Sequence, residues 1–457
     1  MALIASSSAD QTAAIQEAID ALAATGGGIV RLASGSHSAT HLRLRTGTTL
    51  HFEDGASLSL TGSYEALADN RVTVIAEQSD RALIVAQGQQ RIGLTGSGEI
   101  LAPGPAFVIG DDPEVGTLVP APRRPRVLVF EDCSEVTLSG IAVRHSPMWT
   151  LHLVACQRVT VRGVTIDNDR RLPNTDGIVI DSCADVSIEG VTISTADDGI
   201  CLKTSRRGDV IGRMDRIAVR HCRVSSLSCA LKIGTETFGD IDDVLFADCE
   251  VIDSNRALGV FSRDGGAISR VRFHRIAVDC RETPDGYWGS GEALTVTVLD
   301  RVASRPAGAV TALEAIDISG RMEGAICLVA AQPGGISGVT LRNIALIQRP
   351  GDLRTGRQID LRPTPADLAV AGGAKGRANA WQKDESGRIV GLTDYPGGLP
   401  ALYAANIEGL DVSDLDFDRP ANLPDGWNDA AVVTEWSTPR AGWRAAPQRP
   451  ISLRRRV

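Results

Sequence analysis

Val136-Thr-Leu-Ser-Gly-Ile-Ala-Val143, Val159-Thr-Val-Arg-Gly-Val-Thr-Ile166 and Val186-Ser-Ile-Glu-Gly-Val-Thr-Ile193 are three copies of one degenerate unit. Each alternates apolar and polar residues over four positions, turns, then alternates again. The unit recurs from Ile217 to Val224, Val244 to Val251 and Val271 to Val278, and is still visible from Val339 to Leu346. The first six starts are 23, 27, 31, 27 and 27 residues apart. That period suits one coil of a solenoid carrying two or three short strands. Coils stacked about 4.8 Å apart would pair each strand with its counterparts above and below. Propeller blades run to about 40 residues, and leucine-rich repeats need a Leu/Asn consensus that is not seen here. The expected fold class is all-β, a right-handed parallel β-helix.

The composition agrees with thin, repeated layers. Only 4% of the 457 residues are aromatic, so the core is built from small β-branched side chains rather than large rings. No Ser/Gly linker or charge block splits the chain, and a single domain is expected. Ser8 or Asp10 can cap a helix running from about Gln11 to Ala24, with Ile15, Ile19 and Leu22 on one face. Gly26, Gly27 and Gly28 then stop it before a strand from Ile29 to Leu32, so the helix would plug the open end of the stack. The region from Pro350 to Pro400 loses the period and reads as a long insertion forming a cleft wall. From Pro420 the chain is irregular, with Trp427, Trp436 and Trp443 available to pin it.

The formal charge of −9, without a basic stripe, argues against nucleic acid as a partner. Arg454, Arg455 and Arg456 read as a solvated tail. Apolar stretches are too short to span a bilayer, and the first residues lack the pattern of a leader peptide. The chain as given reads as cytoplasmic, or as secreted or periplasmic if a leader has been removed. Cys133, Cys156 and Cys183 each stand three residues before a repeat, while Cys222 and Cys249 hold equivalent places within two later ones. Such positions stack, so the cysteines are expected to be buried small hydrophobes rather than disulfides. No C-x-x-C pair is present, and zinc is not expected.

The densest chemical signal is Asn174-Thr-Asp176-Gly177 followed by Asp197-Asp198-Gly199. The two motifs are 21 residues apart, nearly one coil, which places Asp176 beneath the later pair on one face. Adjacent strand residues point to opposite faces, so Asp197 and Asp198 can share a face only if the chain bends there. Three neighbouring carboxylates cannot all ionise comfortably, and a split between protonated and ionised forms supplies both an acid and a base. The competing reading is a calcium site or polar ladder, but calcium wants more oxygen ligands than these motifs supply.

With N-T-D-G and D-D-G at this spacing, the chain resembles glycoside hydrolase family 28, the polygalacturonases and their relatives. The resemblance runs from Asp10-Gln-Thr-Ala-Ala-Ile-Gln16 and Gly26-Gly-Gly28 through Trp149-Thr-Leu-His152 to Tyr287-Trp288-Gly289. It implies a β-helix that hydrolyses glycosides with inversion and without metal or other cofactor. It also implies Asp197 as proton donor, Asp176 and Asp198 as the pair that activates water, and Asn174 in the same cleft. The chain departs from the family's Gly-His-Gly, where Ser228-Cys229-Ala230 stands, and from its Arg-Ile-Lys, where Gly259-Val260-Phe261 stands. In polygalacturonases those cations hold the substrate's carboxylate, so a neutral or differently placed acidic sugar is expected to be preferred.

Lys232, Arg256 and Arg263 lie near the vacated positions as candidate replacements, each also readable as an ordinary solvated side chain. Trp149 and Trp288 are candidates to stack on a sugar, and His152, Glu236 and Glu292 to hydrogen-bond it. The expected partner is a plant- or microbe-derived carbohydrate, acted on by a monomer or small homo-oligomer. Asp176 and Asp197 one coil apart, at about 4.8 Å, would by themselves suit a retaining enzyme; the resemblance implies inversion, and inversion is expected. Two other classes compete: a uronate lyase or epimerase, and a non-catalytic carbohydrate-binding β-helix.

Overall fold

A computed structural model of the chain describes residues 1–113, 116–284, 287–353, 355–362 and 389–435. Most of the expected insertion, together with Trp436, Trp443, Arg454, Arg455 and Arg456, lies outside the described residues. The described chain is a parallel β-helix that divides into two compact units.

The first unit holds Met1–Cys201 and Ser205–Gly212. Its coils have three walls. Ser134–Ser139, Gln157–Arg162 and Ala184–Glu189 stack in the first, with Val136 in register with Val159 and Val159 with Val186. The repeat therefore marks true structural equivalents. Ala142–Arg144, Thr165–Asp167 and Thr192–Thr195 form the second wall. Arg126–Glu131, Leu151–Val154 and Ile178–Asp181 form the third. Gly140, Gly163 and Gly190 turn the chain between the first two walls at φ +74°, +59° and +63°, which explains the glycine in every copy. The first wall continues backward from Leu138 through Leu94 and Leu50 to Val30. The Leu94 coil escaped the repeat because its turn, Gly96-Ser-Gly98, lacks the apolar residue that follows the glycine later.

The N-terminal helix spans Thr12–Ala24 and buries Ile15 and Ile19, with Leu22 half-buried. Neither Ser8 nor Asp10 takes the capping position, which is Gln11 without a side-chain cap bond; the Asp10 carboxylate instead accepts the Thr12 amide, the first of the helix, at 2.9 Å. Among the described residues no helix is long and apolar enough to cross a membrane.

The second unit holds Leu202–Thr204 and the described chain from Arg213 onward. Here the first two walls merge into long strands such as Ile241–Ser254, Ile268–Cys280, Val310–Met322, Ile336–Gln348 and Ile407–Asp418. Ile217, Val244, Val271, Leu313, Val339 and Leu410 occupy equivalent positions in successive coils. The coils at Leu313 and Leu410 are hidden in the sequence because long excursions precede them. One of these is the expected insertion, whose ends Gln358–Asp360 and Leu392–Asp394 pair antiparallel. Ile359, Tyr395, Leu399, Tyr403 and Trp427 pack together over Cys327 and fasten this stem to the coil wall.

All nine cysteines are free and buried. The Cys156 amide lies 3.3 Å from Cys183 Sγ, and Cys133 Sγ and Cys156 Sγ both point toward backbone carbonyls. The cysteines stack as the repeat implied.

Candidate active site

In the first unit, the loops joining the second wall to the third carry the motif residues. The Thr150 and Leu151 amides donate to the Asp176 and Gly177 carbonyls at 2.9 and 3.0 Å. Gly177 and Ile178 donate in turn to Asp198 and Gly199, both at 2.9 Å. This ladder makes Asp176 and Asp198 equivalents in adjacent coils, about 4.8 Å apart along the stack. The bend expected at the pair is present: strand Thr192–Thr195 ends, Ala196 to Gly199 turn, and the next strand begins at Ile200. The Thr195 hydroxyl donates to the Asp197 carbonyl at 2.6 Å, and the Asp197 carboxylate accepts the Asp198 amide at 3.0 Å. Asp197 is the most open of the three at 9% exposure, against 2% for Asp176 and Asp198. Among the described residues no group of three or more His, Cys, Asp or Glu is placed to hold a metal ion.

Asn174 takes the left-handed conformation, φ +59°, which asparagine tolerates better than most residues. Its Oδ1 accepts from Arg124 at 2.8 Å, and the same guanidinium donates to the Pro147 and Pro173 carbonyls. Arg124 was not singled out in the sequence, although the Pro-Arg-Arg-Pro run around it is unusual. Asn168 was also missed. Its amide nitrogen donates to Thr150 Oγ1 and to the Thr175 carbonyl, and its Oδ1 accepts the Ser146 amide. The loop bearing Asp176 is thus held by buried polar side chains as well as by the coil ladder.

His152 and Trp149 differ from their expected place on the sugar-facing surface. His152 is fully buried, and Trp149 is buried beside it, ring edge to ring face at 5.0 Å. Arg126 Nη1 lies 2.7 Å from His152 Nδ1. Because a guanidinium only donates, Nδ1 accepts and Nε2 carries the proton toward Asp181 Oδ2, 3.7 Å away. Burial lowers the Arg126 pKa to about 10. Burial pushes the Asp181 carboxyl up, but His152 and the Ser205 amide outweigh it and hold the group below its ordinary range. The imidazole is enclosed beside the aspartate-bearing coil, on a strand buried on both faces. A cavity of about 460 Å³ in this unit, lined by Tyr64, Phe107, Pro122 and Arg123 among others, includes none of the aspartates.

The remaining candidates sit in the second unit. Arg256 is buried against Glu292, at 3.3 Å, and Asp360, at 3.2 Å. Arg263 is buried with its donors on the Ser262 and Thr297 carbonyls and the Thr297 hydroxyl. Burial, reinforced by Arg301 and Arg256, pushes Arg263 down to about 9. Glu292 is closed off from solvent, and Trp288 is half-buried with the Arg362 guanidinium 5.7 Å from its ring. Arg256, Arg263 and Glu292 are each buried and bonded to internal partners. Lys232 and Glu236 are only partly buried. The sequence missed the partners Lys203, Arg301 and Asp360, which fold in from distant segments.

A family profile described as "Glycosyl hydrolases family 28" matches residues 33–282. A "Probable polygalacturonase" of Vitis vinifera is 30% identical over 141 residues, covering 30% of this chain and 29% of that protein. The chain thus matches under a third of that relative's length. A family 28 exopolygalacturonase from Yersinia enterocolitica superposes with a TM-score of 0.65 at 15% identity, covering 95% of this chain and 78% of that one. A hyperthermoactive exopolygalacturonase from Thermotoga maritima gives 0.62 at 18% identity, covering 76% and 87%. These structural likenesses fix the fold as the right-handed parallel β-helix.

Proposed function

Because the chain belongs to glycoside hydrolase family 28, we propose that it hydrolyses a glycosidic bond by single displacement, with Asp197, Asp176 and Asp198 as the reacting groups. The observation that carries this reading is the pairing of Asp176 with Asp198 in adjacent coils, with the more open Asp197 beside them. Asp197 protonates the leaving glycosidic oxygen. Water attacks the anomeric carbon from the opposite face as the bond to that oxygen breaks, and its proton passes to the Asp176–Asp198 pair. Asn174, tied down by Arg124, fixes the loop that carries Asp176.

The substrate is proposed to be a neutral or differently placed acidic sugar rather than plain polygalacturonate. Cys229, Gly259 and Phe261 cannot pair with a carboxylate as the family's cations do, and Arg256 and Arg263 are spent on internal acceptors. A screen of plant and microbial oligosaccharides, with products read by mass spectrometry and with and without a chelator, tests the reading. Products carrying one added water per cleavage, formed equally with chelator, support it. Unsaturated, chelator-sensitive products would replace it with a lyase.

A further inference from the structure

The 460 Å³ cavity of the first unit lies on the same edge of the coil stack as the aspartates. Its lining comes from two loops that join the second wall to the third, those following strands Ala56–Leu60 and Glu99–Leu101. The two strands are neighbours, with Ser59 in register with Leu101. From there the edge continues coil by coil. The Ala102 amide donates to the Arg144 carbonyl at 2.9 Å, His145 to Asp167 at 3.1 Å, and Asn168 to Ser194 at 3.0 Å. The loop bearing Asp176 is thus two coils beyond Ala102 and the Asp197–Asp198 turn three, about 10–14 Å along the stack. The second cavity loop spans part of that distance itself. Its Leu118 amide donates to the Arg171 carbonyl at 2.7 Å, and Arg124, next to the cavity's Arg123, holds Asn174.

A pyranose ring presents an apolar face of C–H groups and a rim of hydroxyls, and the lining suits both. Tyr64 and Phe107 are buried side chains of the cavity, with Pro103 and Pro122 beside them. The Tyr64 hydroxyl is already engaged, donating to Asp80 Oδ1 at 2.7 Å and accepting the Asp80 amide at 3.1 Å. What Tyr64 offers the cavity is therefore its ring. The Arg123 guanidinium lies 5.3 Å from the centroid of that ring. Glu65 and Arg123 are exposed, and among the described residues neither side chain has a hydrogen-bond or ion-pair partner. A free carboxylate accepts from hydroxyls and a free guanidinium donates to them. The base is rigid as well: a Cβ on Gly104 would stand 2.3 Å from the His145 carbonyl oxygen, so this loop is seated directly on the next coil. Small-ligand sites of about 300–1,000 Å³ combine an apolar lining with a few polar groups in this way.

We propose that this cavity is a sugar-binding subsite, separate from the aspartates, that holds one pyranose ring of a glycan lying along this edge of the first unit. The C–H face of the ring rests against Tyr64 and Phe107. Its hydroxyls donate to Glu65 and accept from Arg123. That the ligand is a carbohydrate rests on the hydrolase reading above; the place of the cavity and its chemistry do not.

Saturation-transfer NMR titration of the methyl glycosides of D-galactose, L-rhamnose, D-xylose and D-galacturonate tests this, because it reads weak binding without turnover. At least one probe should bind the wild type, and Glu65→Gln and Arg123→Ala should each weaken it about tenfold while the melting temperature stays near that of the wild type. Both positions are exposed, and each variant stands as the test should the other fail to fold. Binding of none of the four probes overturns the proposal, as does binding that both folded variants retain in full. Binding lost in Asp197→Asn but kept in the two cavity variants would place the ring at the aspartates and overturn it too. Probe binding that depends on Glu65 and Arg123, in a protein that hydrolyses no glycan, would sink the hydrolase reading and leave the subsite standing. Hydrolysis of a glycan by a protein whose cavity variants bind the probes as the wild type does would do the reverse.

Discussion

Gly177 and Gly199 meet across adjacent coils so closely that a Cβ on Gly177 would stand 2.5 Å from the Gly199 carbonyl oxygen and 2.8 Å from Ile193 Cγ2. The glycine that follows Asp176 is therefore a packing requirement of the site. It lets the loop bearing Asp176 settle onto the coil bearing Asp197 and Asp198, with the Gly177 amide donating to the Asp198 carbonyl.

Gly177→Ala should consequently lower stability by about 1–3 kcal/mol through overpacking, and should reduce turnover more than this loss explains by lifting Asp176 away from Asp198. Denaturant unfolding and steady-state rates on the same preparation check both parts. An unchanged midpoint would show that the coils relax without cost.

The Arg126–His152–Asp181 group predicts a pH dependence. Asp181 is held below its ordinary pKa in the folded state, so its contribution is complete above the unfolded value near about 3.9. It is lost as pH falls through the lower folded value. Asp181→Asn should destabilise by roughly 3–5 kcal/mol at neutral pH by removing a buried carboxylate charge that accepts the Ser205 amide and helps balance Arg126. The gap between variant and wild type should narrow below about pH 4. Unfolding measured from pH 7 down to pH 3 decides it; a gap that widens on acidification contradicts the assignment.

Burial pushes the Cys280 thiol well above its usual range and Cys327 to about 12; the contact with Cys156 and burial raise Cys133, while at Cys156 the pull downward from Cys133 is outweighed by Cys183 and burial. Reagents that need a thiolate should therefore leave the native cysteines largely unmodified, and label all nine only after unfolding. Reductant should not lower the melting temperature. Rapid native labelling, or a marked loss of stability in reductant, would contradict the ladder.

What was legible in the sequence follows from which interactions are local or periodic. Val136, Val159 and Val186 announced the coils because stacking forces equivalent residues into one register, and the same arithmetic put Asp176 beside Asp198. Leu313 and Leu410 were invisible because excursions of irregular length erase the period before them. His152 was read as sugar-facing from its place in Trp149-Thr-Leu-His152 beside the aspartates' coil, whereas its strand is covered on both faces. Glu236 could not be assigned its cations, as Lys203 and Arg301 lie 33 and 65 residues away along the chain. Arg256 likewise meets Asp360 across 104 residues.

The stereochemical outcome separates the two readings that coil spacing alone left open. Proton NMR of the first-formed sugar should show the anomer opposite to that of the bond cleaved, before mutarotation mixes them. Retention of configuration would mean that one aspartate is a nucleophile.

The most direct test of the central claim is turnover by Asp197→Asn on whichever glycan the wild type cleaves. An amide keeps the shape but cannot protonate the leaving oxygen, so the rate should fall by about 10²–10⁴-fold while the melting temperature stays near that of the wild type. A folded variant that keeps more than a few per cent of wild-type turnover on an unactivated glycoside would remove Asp197 as the acid, and the proposed mechanism with it.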